Sequence, residues 1–526
     1  MLEDRRVKRK ISPNIACDRQ PPRRGATSSE SAIQCFLKTH RYVSPMFVGK
    51  RILCVRFSAA ATADRLLPRF LAARARPGLT NLDALLFGSG DRHGSAGRAS
   101  LIAFLIRVLS AVIALVSQVL IARWIGSFDY GIFVMVWTVM VIAGNLSCLG
   151  FHTSIIRFIP EYRARGRLGE LRGIMATSKM FVLATSTLIA AIGIAGVWLF
   201  SDAVESYYVL PFYLGIACLP IIALSDTLEG TARAHSWAFL GLGPIYLLRP
   251  LLILALMALA LQLDYPATGQ TAVIAAITAT LLTALFQIVT IVPRARAGMR
   301  QVRPKYRHRQ WLMVSLPIFV IEGFYFMLTN ADVLLVGYFM PPGDVAVYFA
   351  TTKILALVHF VYFAVKAGVA QRYAHYAQDG NSAKLADFAR ETVAWTFWPS
   401  LVMAGAVLLL GKPLLSMFGP GFEAGYPLLF VLVVGVIARS SVGPAESLLT
   451  MTGNQNICAL VYGLTLTVSV VLNLILIPLH GLWGASTAMA VALSCEAALL
   501  AFTVWKRLGI VMIVPNARLP RRQETV

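Results

Sequence analysis

Between Leu101 and Trp505 the chain repeats one pattern: a run of about 20 apolar residues, then a short polar connection. A run of that length crosses a hydrocarbon layer as a helix, and a helix satisfies its own backbone hydrogen bonds where no water is available. Hydrophobic residues make up 57% of the 526 and charged residues 14%, an apolar excess that a soluble core of this size does not hide. The chain therefore reads as an all-α integral membrane protein. Twelve spans are expected, at about 101–122, 131–151, 175–199, 207–227, 238–262, 271–293, 311–337, 344–370, 391–411, 426–449, 456–478 and 484–505.

The net charge of +23 is placed in a way that argues against nucleic acid as a partner. Basic residues gather in alternate connections, as orientation in a membrane requires. Arg157, Arg163, Arg165, Arg167 and Arg172 follow the second span, and Arg294, Arg296, Arg300, Arg303, Lys305, Arg307 and Arg309 follow the sixth. Arg372, Lys384 and Arg390 follow the eighth, and Lys506, Arg507, Arg518, Arg521 and Arg522 follow the last. The intervening connections offer only Arg123 and Lys412. Both termini are thus expected on the cytoplasmic side.

Residues 1–98 contain no span-length run and carry 19 basic against 7 acidic residues. They read as a disordered basic extension, an Arg-rich targeting segment, or read-through upstream of a mis-assigned start. The remainder is expected to divide into six-helix lobes at 99–310 and 311–508, with a basic tail at 509–526. The seven cysteines are scattered without a CxxC pair, and no motif implies a metal or cofactor.

The lobes are expected because the halves echo each other. Asp129 and Asp344, Phe133 and Tyr348, and Arg157 and Arg372 are each 215 residues apart. An offset of six helices keeps both copies in the same sense, a parallel repeat around a central cavity that opens to either side by rocking.

The same residues resemble the polysaccharide-repeat flippases of the multidrug/oligosaccharidyl-lipid/polysaccharide exporter superfamily. The stretch Ala122-Arg-Trp-Ile-Gly126-Ser-Phe-Asp-Tyr-Gly131-Ile-Phe133 is similar to that family's ARxxGxxxYGxF pattern, and Arg157–Tyr162 to its RFIPEY stretch. Leu316-Pro317, Ala331-Asp332 and Gly337, then Tyr348 and Lys353, follow its seventh- and eighth-span signature. Leu472-Asn473 through Ile477-Pro478 to Gly484-Ala485 resembles LNLxLIPxxGxxGAA. Gln371 departs from the family's usual proline, which puts the bend expected there in doubt. The resemblance covers about residues 100–510. It implies flipping of an undecaprenyl-diphosphate-linked oligosaccharide from the cytoplasmic to the periplasmic leaflet of a bacterial inner membrane, beside other polysaccharide-assembly membrane proteins.

Charges inside spans are costly unless they face a wet cavity or a partner, so each is a candidate site residue. The cations Arg107, Arg249, Lys353, Lys366 and Arg439 suit a multiply charged diphosphate, onto which guanidinium forks at two points. The plain alternatives are snorkelling for Arg107 and Lys366 and internal salt bridging for Arg439. Tyr325, Trp395, Trp398 and Asn473 are candidates for sugar contacts. At about 100° per residue, Ser315, Glu322, Tyr325, Thr329 and Asp332 share one face of a continuous seventh span. A lipid-facing surface does not tolerate that stripe. Glu322 and Asp332 are therefore candidates for coupling to H+ or Na+, with an interfacial cap as the alternative for Asp332. Arg439 and Glu446, two turns apart on a continuous helix, are expected to need separate partners.

Two other functions compete. A small-molecule or drug antiporter of the same architecture would prefer a carboxylate in the first span, where this chain carries Arg107 and no acid. A membrane polymerase, ligase or glycosyltransferase would need a substantial external loop or clustered catalytic groups, and neither GxSxG, P-loop nor HExxH is evident.

Overall fold

The computed structural model describes residues 92–201, 205–297, 299, 301–378, 382–512 and 514. The expectations for the chain before residue 92 and for the tail from 515 lie outside the described residues, as does the side chain of Arg107.

Among the described residues every regular element is helical. The continuous stretch Arg92–Ser147 has non-helical geometry at Gly126 (φ 81°, ψ 170°). It is two helices, α1 (92–125) and α2 (127–147), because the Tyr130 hydroxyl donates to Gln118 Oε1 at 2.8 Å. Twelve residues of straight helix would separate those groups by about 18 Å. The chain therefore reverses at Gly126. There follow α3 (Phe151–Ala164), α4 (Leu168–Leu199), α5 (Ser206–Ala217), α6 (Leu219–Ala234), α7 (Ala238–Gln262) and α8 (Gly269–Ala295). The second half holds α9 (His308–Leu328), α10 (Ala331–Phe339), α11 (Pro342–Gln378), α12 (Ser382–Ser416), α13 (Tyr426–Ser440), α14 (Ala445–Met451), α15 (Gln455–His480) and α16 (Leu482–Leu508).

Among the described residues ten helices are long and apolar enough to cross a membrane, or eleven with α5 and α6, bent by 44°, taken as one span. That count takes Val108–Ser147 as one; divided at Gly126, the spans are twelve. The halves repeat helix for helix. α2 begins at 127 and α11 at 342, α4 at 168 and α12 at 382, α7 at 238 and α15 at 455, α8 at 269 and α16 at 482. These offsets of 213–217 extend the spacing of 215 across the whole half. α11 runs through Gln371 without a break.

Residues exposed on the bundle's flanks are those a hydrocarbon layer accepts, such as Trp198, Val289, Val402 and Leu409. The two halves meet at both ends. At the end poor in basic residues, α2 lies so close to α11 that a Cβ on Gly131 would collide with the Pro342 carbonyl oxygen. Tyr130 there packs against Phe349, Phe418 and Phe422, ring centroids 6.0–6.5 Å apart. At the basic end, α3 packs on α9. The Trp311 indole donates to the Tyr162 hydroxyl at 2.9 Å, and the Ser154 and Ser315 hydroxyls lie 2.7 Å apart.

Candidate functional site

Arg249 lines one cavity, in the first half, and Lys353 and Arg439 line another, in the second. The first-half cavity, about 260 Å³, lies among α1, α2 and α7. Arg249 reaches it from a local irregularity: Pro244–Leu248 winds as a π-helix directly before it, and Pro250 follows. A proline lacks the amide the ladder needs, so the widened turn is a consequence of sequence. The Arg249 guanidinium lies over the Trp137 ring at 5.4 Å. Asp226 on α6 acts on it electrostatically but stands beyond ion-pair distance.

The second-half cavity, about 420 Å³, is lined by side chains from α9 to α11, α13 to α16. On one wall sits a buried charge cluster. Arg439 Nε donates to Glu496 Oε1 and its Nη2 to Glu446 Oε2, both at 2.7 Å. Its Nη1 donates to the Gly443 carbonyl at 3.1 Å and Nη2 also to the Tyr362 hydroxyl at 3.0 Å. The Tyr362 hydroxyl donates to Glu446 Oε1, which also pairs with Lys366 Nζ at 3.0 Å. Two cations thus face two carboxylates, and the cluster is neutral as a unit.

The separate-partner expectation for Arg439 and Glu446 is corrected here. The helix stops at Ser440, and Gly443 (φ 61°) with Pro444 turns the chain before α14 begins. Only glycine takes that left-handed conformation without strain. The turn folds Glu446 back onto Arg439.

The continuous stripe on the seventh span is also corrected. α9 ends at Leu328, because the Asn330 amide and the Thr329 hydroxyl both donate to the Phe326 carbonyl, at 2.9 and 3.0 Å. Such side chains compete with the helix ladder for its carbonyls. Asp332 therefore belongs to α10, where Oδ1 accepts from the Val333 amide at 2.9 Å and Oδ2 from the Tyr348 hydroxyl at 2.8 Å. Glu322 stays on α9 but faces the first half, 3.3 Å from His152 Nε2 on α3. Ser315 pairs with Ser154 on the same seam.

Lys353 stands apart from the cluster. It is exposed within the cavity, its ammonium 4.4 Å from the Phe349 ring centroid. Among the described residues no carboxylate lies within ion-pair distance of it, and Asp332 is the acid whose charge it feels. Asn473 is fully buried, its amide donating to the Ser469 carbonyl at 2.8 Å and its Oδ1 without a partner. Tyr325 lines the cavity, whereas Trp395 packs on Phe388 and Trp398 is half exposed on the flank of α12.

Glu496, Tyr362, His359, Asp226 and His152 are site residues that the sequence reading passed over. Glu496 and Asp226 carried a usable signal, since each is a carboxylate inside a span. Among the described residues no cluster of His, Cys, Asp and Glu is placed to hold a metal ion.

Twelve spans in a repeated six-helix arrangement, several of them carrying charged side chains, define a polytopic helical membrane protein. The polysaccharide biosynthesis protein family matches residues 96–370, more than half the chain, and the MatE family matches 317–475. The chain belongs to the polysaccharide biosynthesis protein family. No curated protein shows significant similarity to it. Among solved structures it is similar to an inward-facing multidrug resistance MATE family transporter of the MOP superfamily, with TM-score 0.64, 14% identity, and 78% of this chain and 98% of that one covered. It is similar to the lipid II flippase MurJ in an inward closed conformation, with TM-score 0.61, 14% identity, and coverage of 77% and 87%. A MOP superfamily transporter from Pyrococcus furiosus aligns with TM-score 0.55, 15% identity, and coverage of 81% and 97%. These likenesses establish the fold. The solved neighbours are described as transporters and a flippase.

Proposed function

We propose that the protein moves a polyprenyl-diphosphate-linked oligosaccharide from the cytoplasmic to the periplasmic leaflet of a bacterial inner membrane by alternating access. Both termini are cytoplasmic in this reading, and lobes of residues 99–310 and 311–508 rock against each other. The observation that carries it is a pair of cations, Arg249 and Lys353, one in each cavity and each beside an aromatic ring, with no carboxylate at ion-pair distance among the described residues. A diphosphate needs cationic donors, and sugar faces stack on rings. Arg439 and Lys366 spend their charge on Glu446 and Glu496, so they shape the cavity wall. Asn473 contributes packing beside it. Coupling to H+ or Na+ falls to the carboxylates that can exchange partners as the halves move. Glu322, across the seam from His152, is the first of these, then Asp332 and Glu446.

The test is translocation in reconstituted vesicles of a fluorescent polyprenyl-diphosphate sugar, beside efflux of a small organic cation. Protein-dependent movement of the lipid without cation efflux supports the reading. Cation efflux without lipid movement replaces it with antiport.

A further inference from the structure

A third cavity, about 420 Å³, lies at the basic end of the bundle, between α4, the end of α8 and the connection that follows it. It shares no lining residue with the two transport cavities. Among the described residues its charged lining is Arg172, Lys179 and Arg296, all cations. Arg172 holds the wall in place, donating from Nη1 to the carbonyls of Met299 at 3.2 Å and Val302 at 2.6 Å. The Lys305 amide docks the same connection onto α4 through the Gly169 carbonyl at 2.9 Å. Lys179 and Arg296 lie close enough to repel each other, and among the described residues neither has a carboxylate within ion-pair distance. Like charges held together in a preformed cavity call for an anion.

Depth says which kind. From Met180 to Leu199, α4 runs without a charged residue for about 30 Å. Lys179 therefore sits where the hydrocarbon ends, level with lipid phosphates. Beyond the cavity, Leu183 on α4 and Phe286 and Val289 on α8 are exposed on the faces that continue its walls. They form an apolar track for acyl chains below a phosphate.

We propose that this cavity binds the phosphate headgroup of an anionic phospholipid from the surrounding leaflet. Its position at the end of the hydrocarbon, apart from both transport cavities, suits the headgroup of a surrounding lipid. The site lies outside the transport route, so it stands or falls separately from the transported substrate.

The test is native mass spectrometry of the full chain in neutral detergent, titrated with phosphatidylglycerol, phosphatidylcholine or inorganic pyrophosphate. Phosphatidylglycerol should bind more tightly than phosphatidylcholine. Arg296→Gln should weaken it about fivefold and Lys179→Gln with Arg296→Gln about thirtyfold, at roughly one ion–lipid contact per cation, with phosphatidylcholine unaffected. Equal phosphatidylglycerol binding by wild type and double variant overturns the proposal. So does pyrophosphate that displaces the lipid in a manner dependent on both cations, which assigns the cavity to a soluble phosphate. If the double variant fails to fold, Arg296→Gln decides alone, because that side chain is exposed.

Discussion

Glu446 Oε2 accepts a hydrogen bond from Arg439 Nη2 at 2.7 Å, although the two residues are seven apart and belong to different helices. Glu496 from α16 completes the pairing on the guanidinium's other side. Buried ion pairs gain little over an apolar isostere, but removing one partner leaves an uncompensated charge. The cluster therefore ties α11, α13, α14 and α16 together through a single guanidinium and its neighbours.

Replacing Arg439 alone should show this asymmetry. Arg439→Met leaves the carboxylates short of a cation and should lower stability by about 3–5 kcal/mol. Adding Glu446→Gln and Glu496→Gln should recover much of the loss. Thermal unfolding in detergent measures both, and a single variant as stable as wild type would show that the cluster does not hold this region.

Gly443 makes the turn that brings Glu446 to Arg439. Gly443→Ala should cost about 1–2 kcal/mol for the left-handed backbone, and its Cβ would meet Val393 Cα at 3.1 Å. Gly443→Asn should be milder, since asparagine tolerates that conformation. Equal unfolding temperatures for the alanine variant and wild type would contradict the assignment.

Lys353 and Lys366 should separate binding from structure. Lys353→Ala should reduce lipid translocation about tenfold or more, the worth of one charged hydrogen bond, with stability little changed. Lys366→Ala should act chiefly on stability, because it removes a cation from Glu446. Unfolding and translocation measured on both variants check the contrast; the reverse pattern would exchange their roles. Arg249→Ala should impair translocation as Lys353→Ala does, and Arg249→Lys should retain part of it.

The seam between α3 and α9 should open during transport. Ser154→Cys with Ser315→Cys, in a chain without its seven native cysteines, should form a disulfide, since the wild-type hydroxyls are 2.7 Å apart. The cross-link should arrest translocation and reductant should restore it. Unchanged translocation by a fully cross-linked protein would show a static seam.

Glu322→Gln should lessen the response of translocation to an imposed pH or sodium gradient more than Asp332→Asn does. Glu322 faces a seam that must separate, whereas Asp332 is held by Tyr348 and its own helix. Full gradient response in both variants would place coupling elsewhere.

Much of this architecture was legible before any coordinates. Hydrocarbon thickness sets the length of an apolar run, and the chain must reverse between runs, so span number and approximate bounds are local properties of the sequence. The repeat was legible for the same reason: Asp129 and Asp344 mark equivalent turns. Cations within spans, such as Arg249 and Lys353, declared themselves by the cost of a charge there. What failed were inferences that assumed an unbroken helix. Asn330 and Gly443 interrupt the seventh and tenth spans, and each interruption re-aims every polar side chain beyond it. Apolar run lengths and their repetition were enough for twelve spans in two like halves with charges inside them. That Glu496 meets Arg439 from 57 residues away, and Glu322 meets His152 across the seam, emerges from helix packing alone. A pairing between distant segments depends on how helices pack and where they break, and no local periodicity carries that information.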